Sequence, residues 1–252
     1  MTDRGAPVQP DHISPIHISV VMPAFNEAEI LETSAKTVVE GLRARGEPFE
    51  VIVVENGSTD DTAAIADGLA GHVPELRVEH LDVADYGWAL RTGLLCATGD
   101  AVVNFDVDYF DLEFLDLAVA QVLAESGPAI VVGSKRVEGS TDTRVPLRKL
   151  ATGVFGLILR VVFGLRVSDT HGVKAMRREA VEPYARICTF GQDLFDTELI
   201  LRVERAGLRT AELPVVVHEL RPARSSFLSR VPRTLRGLWR LRRALWKEAK
   251  TR

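Results

Sequence analysis

Cysteine is scarce in this chain, with only two among 252 residues. Cys96 and Cys188 both stand among apolar residues, and two such residues make no disulfide framework of the kind that small secreted domains use. The sequence shows no secretory signal pattern, and we expect a cytoplasmic protein. The composition therefore argues against a disulfide-stabilised secreted domain.

Long apolar runs and an excess of positive charge are missing as well. No stretch reaches the ~18 uninterrupted apolar residues that a membrane-spanning helix needs. The nearest one, Leu150–Leu165, is interrupted by Arg160. The formal net charge is −4, which gives the chain no overall basic character. We therefore expect no membrane span and no nucleic acid as a partner.

The composition divides the chain into three parts. Residues 1–15 carry three prolines and little apolar content, which predicts a disordered N-terminal arm. Residues 16–228 are numerous enough for one large domain, in a chain that is 46% hydrophobic. Residues 229–252 are rich in Arg, Leu and Trp, and we treat them as a separate C-terminal segment.

Strand-like and helix-like segments alternate through the middle part. The strands are near-continuous apolar runs, as in sheets that helices cover on both faces. This alternation predicts an α/β fold with a mostly parallel open sheet flanked by helices. The predicted strands are Ile16–Met22, Phe49–Val54, Leu76–His80, Ala101–Phe105, Ala129–Gly133 and Leu208–Val217, and the predicted helices are Glu27–Arg45, Asp60–Ala70, Tyr86–Ala97, Leu112–Glu125, Pro146–Leu165 and Asp193–Arg205.

Three polar motifs follow three of the predicted strands. They are Pro23–Glu27, Glu55–Ser58 and Asp106–Asp108. Ligands of open α/β sheets bind outside the carboxyl ends of the strands. Three polar motifs on this one edge predict a binding site there.

The motif Asp106-Val107-Asp108 places two carboxylates one residue apart after an apolar strand. Mg²⁺ and Mn²⁺ prefer oxygen ligands and commonly take one or two carboxylates, with water and substrate phosphates completing the shell. The pattern therefore predicts that Asp106 and Asp108 bind Mg²⁺ or Mn²⁺ against a diphosphate. A solvated turn or a helix cap is the alternative interpretation.

Four ordered motifs carry a family resemblance that extends from about residue 16 to 224. They are Val21–Glu27, Val53–Thr62, Tyr86–Gly93 and Asp169–Lys174, with Asp106–Asp108 between the last two. In this order and spacing the chain resembles a family 2 glycosyltransferase of the GT-A (Rossmann-like) fold. Within that family it is similar to dolichyl- or polyprenyl-phosphate sugar synthases. The resemblance implies transfer of a hexose, with inversion, from a GDP- or UDP-sugar to a polyprenyl phosphate.

Three segments depart from the family's usual pattern, and one of them is Arg221–Ser226, which stands where the polyprenyl-phosphate branch often has Gly-x-Ser-Lys. Glu55-Asn56 stand where two aspartates are usual, although a carboxylate or an amide can still accept a hydrogen bond from a base. Tyr109-Phe110 stand where Leu-Gln often follows the metal motif. A water molecule or Asp111 would then replace that glutamine at the metal.

The resemblance assigns the donor contacts to the first motifs. Glu55 and Asn56 would bind the base, Pro23, Phe25 and Glu27 the base and ribose, and Asp106 the metal-bound diphosphate. Three alternatives remain at this point: Pro23 as a strand terminator, Phe25 as a core aromatic residue, and Asp85 as a helix N-cap rather than a donor contact. We also expect Ser58 or Thr59 to be the N-cap of the second helix.

The acceptor decides which further side chains the reaction needs. A lipid phosphate is already an anion, so cationic side chains must hold it. A hydroxyl acceptor instead needs a general base, for which Asp196 is the best candidate; its alternative is a carboxylate favoured by a helix N-terminus. The candidate cations are Lys135, Arg136, Lys174, Arg221 and Arg224.

The C-terminal segment has nine basic residues, one acid, and Leu and Trp at roughly helical spacing. This pattern predicts a basic amphipathic helix that begins near Pro232, because proline is tolerated in the first turn. Such a helix suits an anionic membrane surface, with the protein peripheral on the inner face of the membrane. Packing on the catalytic domain and nucleic-acid binding are the alternatives.

Two other functions compete with the lipid-directed transferase. One is a family 2 transferase whose acceptor is a soluble or polysaccharide hydroxyl. The other is a catalytically silent protein that binds nucleotide sugars. The retained carboxylates Asp106 and Asp108 argue against the silent protein.

Overall fold

The computed structural model describes residues 17–134, 141–142, 156–217 and 227–251. The predicted N-terminal arm, residues 1–15, lies outside these ranges and stays a prediction. The same holds for the first part of the predicted helix Pro146–Leu165, of which the structure describes a helix over residues 156–163.

A seven-stranded mixed sheet forms the centre of the fold, in the order β3-β2-β1-β4-β7-β5-β8. All neighbouring strands are parallel except around β7, which is antiparallel to both β4 and β5. The predicted mostly parallel open sheet is thus confirmed. The strands are β1 Ile18–Ala24, β2 Phe49–Asn56, β3 Leu76–Leu81, β4 Ala101–Asn104, β5 Ile130–Ser134, β7 Lys174–Arg177 and β8 Thr210–Pro214, and β6 Thr141–Asp142 pairs separately with β9 Val216–Val217.

Helices cover both faces of the sheet and create two hydrophobic cores. Because successive side chains of a strand point to opposite faces, Val20 of β1 enters one core and Val21 enters the other. β1 and β4 are buried along their whole length. The helices are α1 Leu31–Arg43, α2 Thr62–Ala70, α3 Tyr86–Cys96, α4 Leu112–Leu123, α5 over residues 156–163, α6 Arg178–Ile187, α7 Phe195–Arg205 and α8 Phe227–Thr251.

The first two helices begin later than the sequence predicts. α1 begins at Leu31 rather than Glu27, because the backbone of Ile30, with φ −127° and ψ −15°, is not helical. Before it, the Glu27 carbonyl accepts the amides of Ile30 and Leu31 in a turn. α2 begins at Thr62 with Asp61 at its N-cap position. The predicted caps Ser58 and Thr59 are therefore wrong for this helix.

The third and fourth helices carry side-chain caps that fix their starts. The carboxylate of Asp85 accepts the amide of Trp88 at 3.0 Å, which confirms Asp85 as the N-cap of α3. The carboxylate of Asp111 likewise accepts the amide of Phe114 at 2.9 Å at the start of α4. An N-cap of this kind is typically worth about 1 kcal/mol.

The C-terminal helix α8 begins at Phe227, so the predicted start near Pro232 falls inside the helix. Leu238, Leu241 and Leu245 are buried in the second core. At the far end, Glu248 forms a two-pronged ion pair with Arg202 of α7, at 2.9 Å for each bond. The helix therefore packs on the domain along one face. None of the described helices has the length and apolarity that crossing a membrane requires.

Candidate active site

The three polar motifs meet at one edge of the sheet. β1 lies between β2 and β4, and all three run in the same direction. Ala24 is paired with Glu55, and Val21 is paired with Asn104, two residues before Asp106. The carboxyl ends of the three strands thus bring the motifs together, as the sequence predicts.

Asn26 joins the first motif to the second, a role that sequence reasoning missed. Its backbone amide donates to the hydroxyl of Ser58 at 3.0 Å, and its side-chain oxygen accepts the backbone amide of Thr59 at 2.8 Å. The backbone of Asn26 has a φ of 54°, a left-handed conformation that asparagine tolerates better than most residues. These bonds also explain why Ser58 and Thr59 do not cap α2.

Glu55 points into the protein rather than into open solvent. It is 4% exposed, and its carboxylate accepts the amide of Ser58 at 2.6 Å. His80 lies between this carboxylate and Asp67, at 3.4 Å and 2.9 Å. Burial raises the pKa of Glu55, but the hydrogen bonds from Ser58 and His80 outweigh it, so the pKa is lowered. The residue is held as a carboxylate.

The other predicted donor contacts differ in accessibility. Asn56 is buried, and its side-chain oxygen accepts the amide of Asp85 at 2.8 Å. Pro23 is buried within β1, in keeping with the alternative that it serves the strand. Phe25 is 42% exposed, which is contrary to the core alternative, and Glu27 is partly exposed. Phe25 and Glu27 are thus the members of this group that a ligand can reach directly.

Asp106 and Asp108 lie in a tight turn directly after β4. The backbones of Asp106 and Tyr109 exchange hydrogen bonds of 3.1 and 3.2 Å, so the turn closes on itself. Asp108 is exposed, Asp106 is partly buried and Val107 is buried between them. The hydroxyl of Tyr86 donates to Asp106 Oδ1 at 2.7 Å.

The surroundings of Asp106 act on its ionisation in opposite directions. Burial raises the pKa of this carboxyl, the Tyr86 hydrogen bond lowers it, and the negative charge of Asp108 raises it, with a net upward direction. Burial and the charge of Asp106 raise the pKa of the Tyr86 hydroxyl well above its ordinary value. Tyr86 therefore remains a hydrogen-bond donor at neutral pH. Sequence reasoning did not single out this residue.

The donor set fits Mg²⁺ or Mn²⁺ held jointly with a substrate. Among the residues that the structure describes, no three His, Cys, Asp or Glu side chains form a metal cluster. Two carboxylates are nevertheless sufficient for a hard cation that takes further oxygens from water and phosphates. Asp111, one of the two predicted replacements for the missing glutamine, caps α4 through its carboxylate. Asp106 and Asp108 are therefore the two carboxylates of this turn that take part in no helix cap.

Lys174 and Asp196 face each other in the interior. Their ammonium and carboxylate groups lie 3.1 Å apart, and the residues are 1% and 6% exposed. Lys174 also donates to the carbonyl of Gly172 at 2.6 Å. The predicted acceptor cation and the predicted general base are therefore partners in a buried ion pair. The other four predicted acceptor cations, Lys135, Arg136, Arg221 and Arg224, lie outside the described residues.

A sequence model of Glycosyl transferase family 2 matches residues 19–184, which include the three motifs at the sheet edge. The chain belongs to this family. The predicted family resemblance is thereby confirmed.

Two similar proteins are named as glycosyltransferases. Glycosyltransferase AglD of Haloferax volcanii is 34% identical over 205 residues, which are 79% of this chain and 33% of that protein. Dolichyl-phosphate beta-glucosyltransferase ALG5A of Trichomonas vaginalis is 29% identical over 218 residues, covering 81% of this chain and 67% of that protein. The chain thus spans a third of the first relative and two thirds of the second.

A solved structure of a similar protein supports the GT-A fold. It is the mannosyltransferase PcManGT from Pyrobaculum calidifontis in complex with GDP-Man and Mn²⁺. The two chains superpose with a TM-score of 0.60 at 25% identity, covering 91% of this chain and 64% of that one.

Proposed function

We propose that this family 2 chain transfers a hexose, with inversion, from a GDP- or UDP-sugar to a dolichyl-type polyprenyl phosphate. The proposal rests on one observation: Asp106 and Asp108 lie at the same sheet edge as the turns after β1 and β2, which Asn26 joins by hydrogen bonds. Relatives named as dolichyl-phosphate glucosyltransferases supply the acceptor class. The similar mannosyltransferase binds GDP-Man and Mn²⁺, which supports a nucleotide sugar and a divalent cation here.

On the donor side, we assign the diphosphate to the edge that carries Asp106 and Asp108. Mg²⁺ or Mn²⁺ bound there would neutralise the charge that develops on the leaving nucleoside diphosphate. Phe25 is exposed beside the Asn26 turn and offers its ring to the nucleobase. Glu55 stabilises the turn after β2 by accepting the backbone amide of Ser58, and Asn56 connects this turn to α3 by accepting the backbone amide of Asp85.

On the acceptor side, the Lys174–Asp196 pair favours a phosphate over a hydroxyl. A general base must reach the proton that it removes. Asp196 is buried and is neutralised by an ammonium group at 3.1 Å. A phosphate acceptor needs no such base, since its oxygen arrives without a proton. A single displacement by that oxygen inverts the anomeric centre.

We propose that α8 also holds the chain at an anionic membrane surface. Leu235, Trp239 and Trp246 are 47, 58 and 59% exposed, although neighbouring leucines of the helix are buried. The guanidinium of Arg243 lies 4.6 Å from the ring centre of Trp239. A basic helix with exposed Leu and Trp suits the headgroup region of anionic lipids. Over residues 234–248 of α8, whose side chains the structure describes, the exposed basic residues are Arg236, Arg240, Arg242, Arg243 and Lys247.

The proposal is tested by following labelled sugar into lipid. The purified chain is incubated with polyprenyl phosphate in detergent, Mn²⁺ and a panel of radiolabelled GDP- and UDP-hexoses, and the product is extracted into organic solvent. We expect label in the organic phase for one donor, reduced by about 10²–10³-fold in the Asp106→Asn variant. Label transferred only to soluble or polysaccharide acceptors would identify a hydroxyl-directed transferase. Neither transfer nor hydrolysis of any donor would identify the silent binding protein.

A further inference from the structure

We propose that Tyr86 is a positioning residue, which holds the carboxylate of Asp106 in the orientation that the metal requires. The inference rests on the proposed function of Asp106 as a metal ligand. Its basis is the hydrogen bond of 2.7 Å from the Tyr86 hydroxyl to Asp106 Oδ1. Hydrogen bonds to metal-ligating carboxylates orient them, and their loss typically weakens metal binding by about 10–100-fold.

The backbone hydrogen bonds of the turn Asp106–Tyr109 do not orient the Asp106 carboxylate, so a side chain must do so. Asp106 and Tyr109 fix each other's backbone through two hydrogen bonds, but a backbone bond does not set the rotation of a carboxylate. A carboxylate that is held through one oxygen presents its other oxygen in a fixed direction. Asp108 is exposed, so Asp106 is the more firmly oriented of the two carboxylates.

Tyr86 is itself fixed by the start of α3. It follows the cap residue Asp85, whose carboxylate accepts the amides of Trp88 at 3.0 Å and Gln192 at 2.6 Å. The amide of Asp85 donates to Asn56 in the second motif at 2.8 Å. The first turn of α3 is thus attached both to the second motif and to the loop before α7.

Gly87 allows α3 to approach that loop closely. A Cβ atom at this position would lie 2.7 Å from the amide nitrogen of Gln192 and 2.8 Å from Cβ of Phe195. Real side chains do not tolerate such distances to backbone, so only glycine permits this contact. The phenol of Tyr86 is therefore carried on a helix start that has little freedom to move.

The test compares Tyr86→Phe with a control variant, Tyr184→Phe. Tyr184 is a tyrosine of α6 that packs against the second core. Free Mn²⁺ is measured by electron paramagnetic resonance during titration of each protein, in the presence of GDP and, separately, UDP. We expect Tyr86→Phe to bind Mn²⁺ about 10–100-fold more weakly and Tyr184→Phe to bind like the unaltered chain. Thermal unfolding is recorded for both variants as a check on folding.

The transfer assay supplies a second readout that loss of folding would not mimic. The KM for Mn²⁺ should rise in Tyr86→Phe, while kcat at saturating Mn²⁺ returns toward the unaltered value. Equal Mn²⁺ affinities for Tyr86→Phe and the unaltered chain would overturn the inference. If the unaltered chain binds no Mn²⁺, the metal site and the role of Tyr86 both fail. If Mn²⁺ binding weakens as expected but no donor is used, the proposed function fails while the role of Tyr86 stands.

Discussion

Replacing Asp196 with asparagine should destabilise the protein strongly, whatever its role in catalysis. Asp196 is 6% exposed and neutralises Lys174, which is 1% exposed. Removing one partner of a buried ion pair typically costs about 3–5 kcal/mol, because the other charge is left without compensation. In Asp196→Asn, Lys174 would retain its hydrogen bond to the carbonyl of Gly172. One carbonyl dipole does not replace a full opposite charge.

The assay is urea unfolding followed by circular dichroism, supported by thermal melting. For a domain of this size, a loss of 1 kcal/mol lowers the melting temperature by about 2–4 °C. Asp196→Asn should therefore melt about 6–20 °C below the unaltered chain. The matched control is Asp116→Asn, which removes the exposed partner of Arg45. Exposed ion pairs contribute about 0–1 kcal/mol, so this control should melt near the unaltered chain.

A double variant separates stability from catalysis. Lys174→Met with Asp196→Leu removes both charges, and replacing a buried pair with apolar residues is often neutral or stabilising. If the acceptor is a phosphate, this variant should retain transfer within about tenfold. A loss above ~10²-fold in kcat, the lower end for removal of a general base, would give the pair a direct part in the reaction, through Asp196 as the base for a hydroxyl or through Lys174 at the acceptor phosphate. An Asp196→Asn protein as stable as the Asp116→Asn control would refute the buried pair itself.

Three other perturbations test separate parts of the description. Asp106→Asn or Asp108→Asn should reduce transfer by about 10²–10³-fold with the fold intact, and chelator-resistant activity would contradict this. Hydrogen bonds from Ser19, Thr98 and Arg77 outweigh burial and lower the pKa of Glu50 to about 2. The ionised Glu50 carboxylate therefore stabilises the fold fully at pH values above its ordinary pKa of 4.5, and this stabilisation is lost as the pH falls toward 2. Glu50→Gln should remove about 2–3 kcal/mol of this pH-dependent stability. Trp239→Ala with Trp246→Ala should reduce co-sedimentation with anionic liposomes several-fold, and added salt should weaken the binding that remains.

The controls for α8 separate its buried leucine face, which packs on the domain, from its exposed tryptophan face. Leu241→Ala removes a buried side chain and should cost about 2–5 kcal/mol of unfolding free energy, with little effect on liposome binding. Cutting the chain after Ser229 removes both faces. If the truncated protein stays folded and still pellets with liposomes, α8 is not the membrane anchor. If it unfolds, packing on the domain is the main role of this helix.

The elements and their broad arrangement could be predicted from the sequence because both depend on local patterns. Apolar runs such as Ala101–Phe105 predicted buried strands, and alternation with helices predicted a parallel sheet. Parallel strands end at a common edge, so Pro23, Glu55 and Asp106 were placed together without knowledge of any contact. Asp85 could be predicted as a cap because capping acts over three residues.

The partners of individual side chains were decided by the tertiary structure. Tyr86 and Asp106 are 20 residues apart, and no spacing rule predicts that a hydroxyl on a helix reaches a carboxylate after a strand. Lys174 was predicted as a cation for the acceptor phosphate and Asp196 as a general base, because their residue types suit that chemistry. The structure buries both, since β7 runs through the sheet and α7 packs against its face.

The C-terminal helix shows the same division between local pattern and tertiary contact. Its composition determined a basic amphipathic helix, because Leu and Trp recur at helical spacing. Periodicity identifies an apolar face but not what covers that face. Packing against the second core selected Leu238, Leu241 and Leu245 for burial and left Trp239 and Trp246 exposed. That choice depends on the shape of the surface beneath the helix, which the sequence of the helix does not contain.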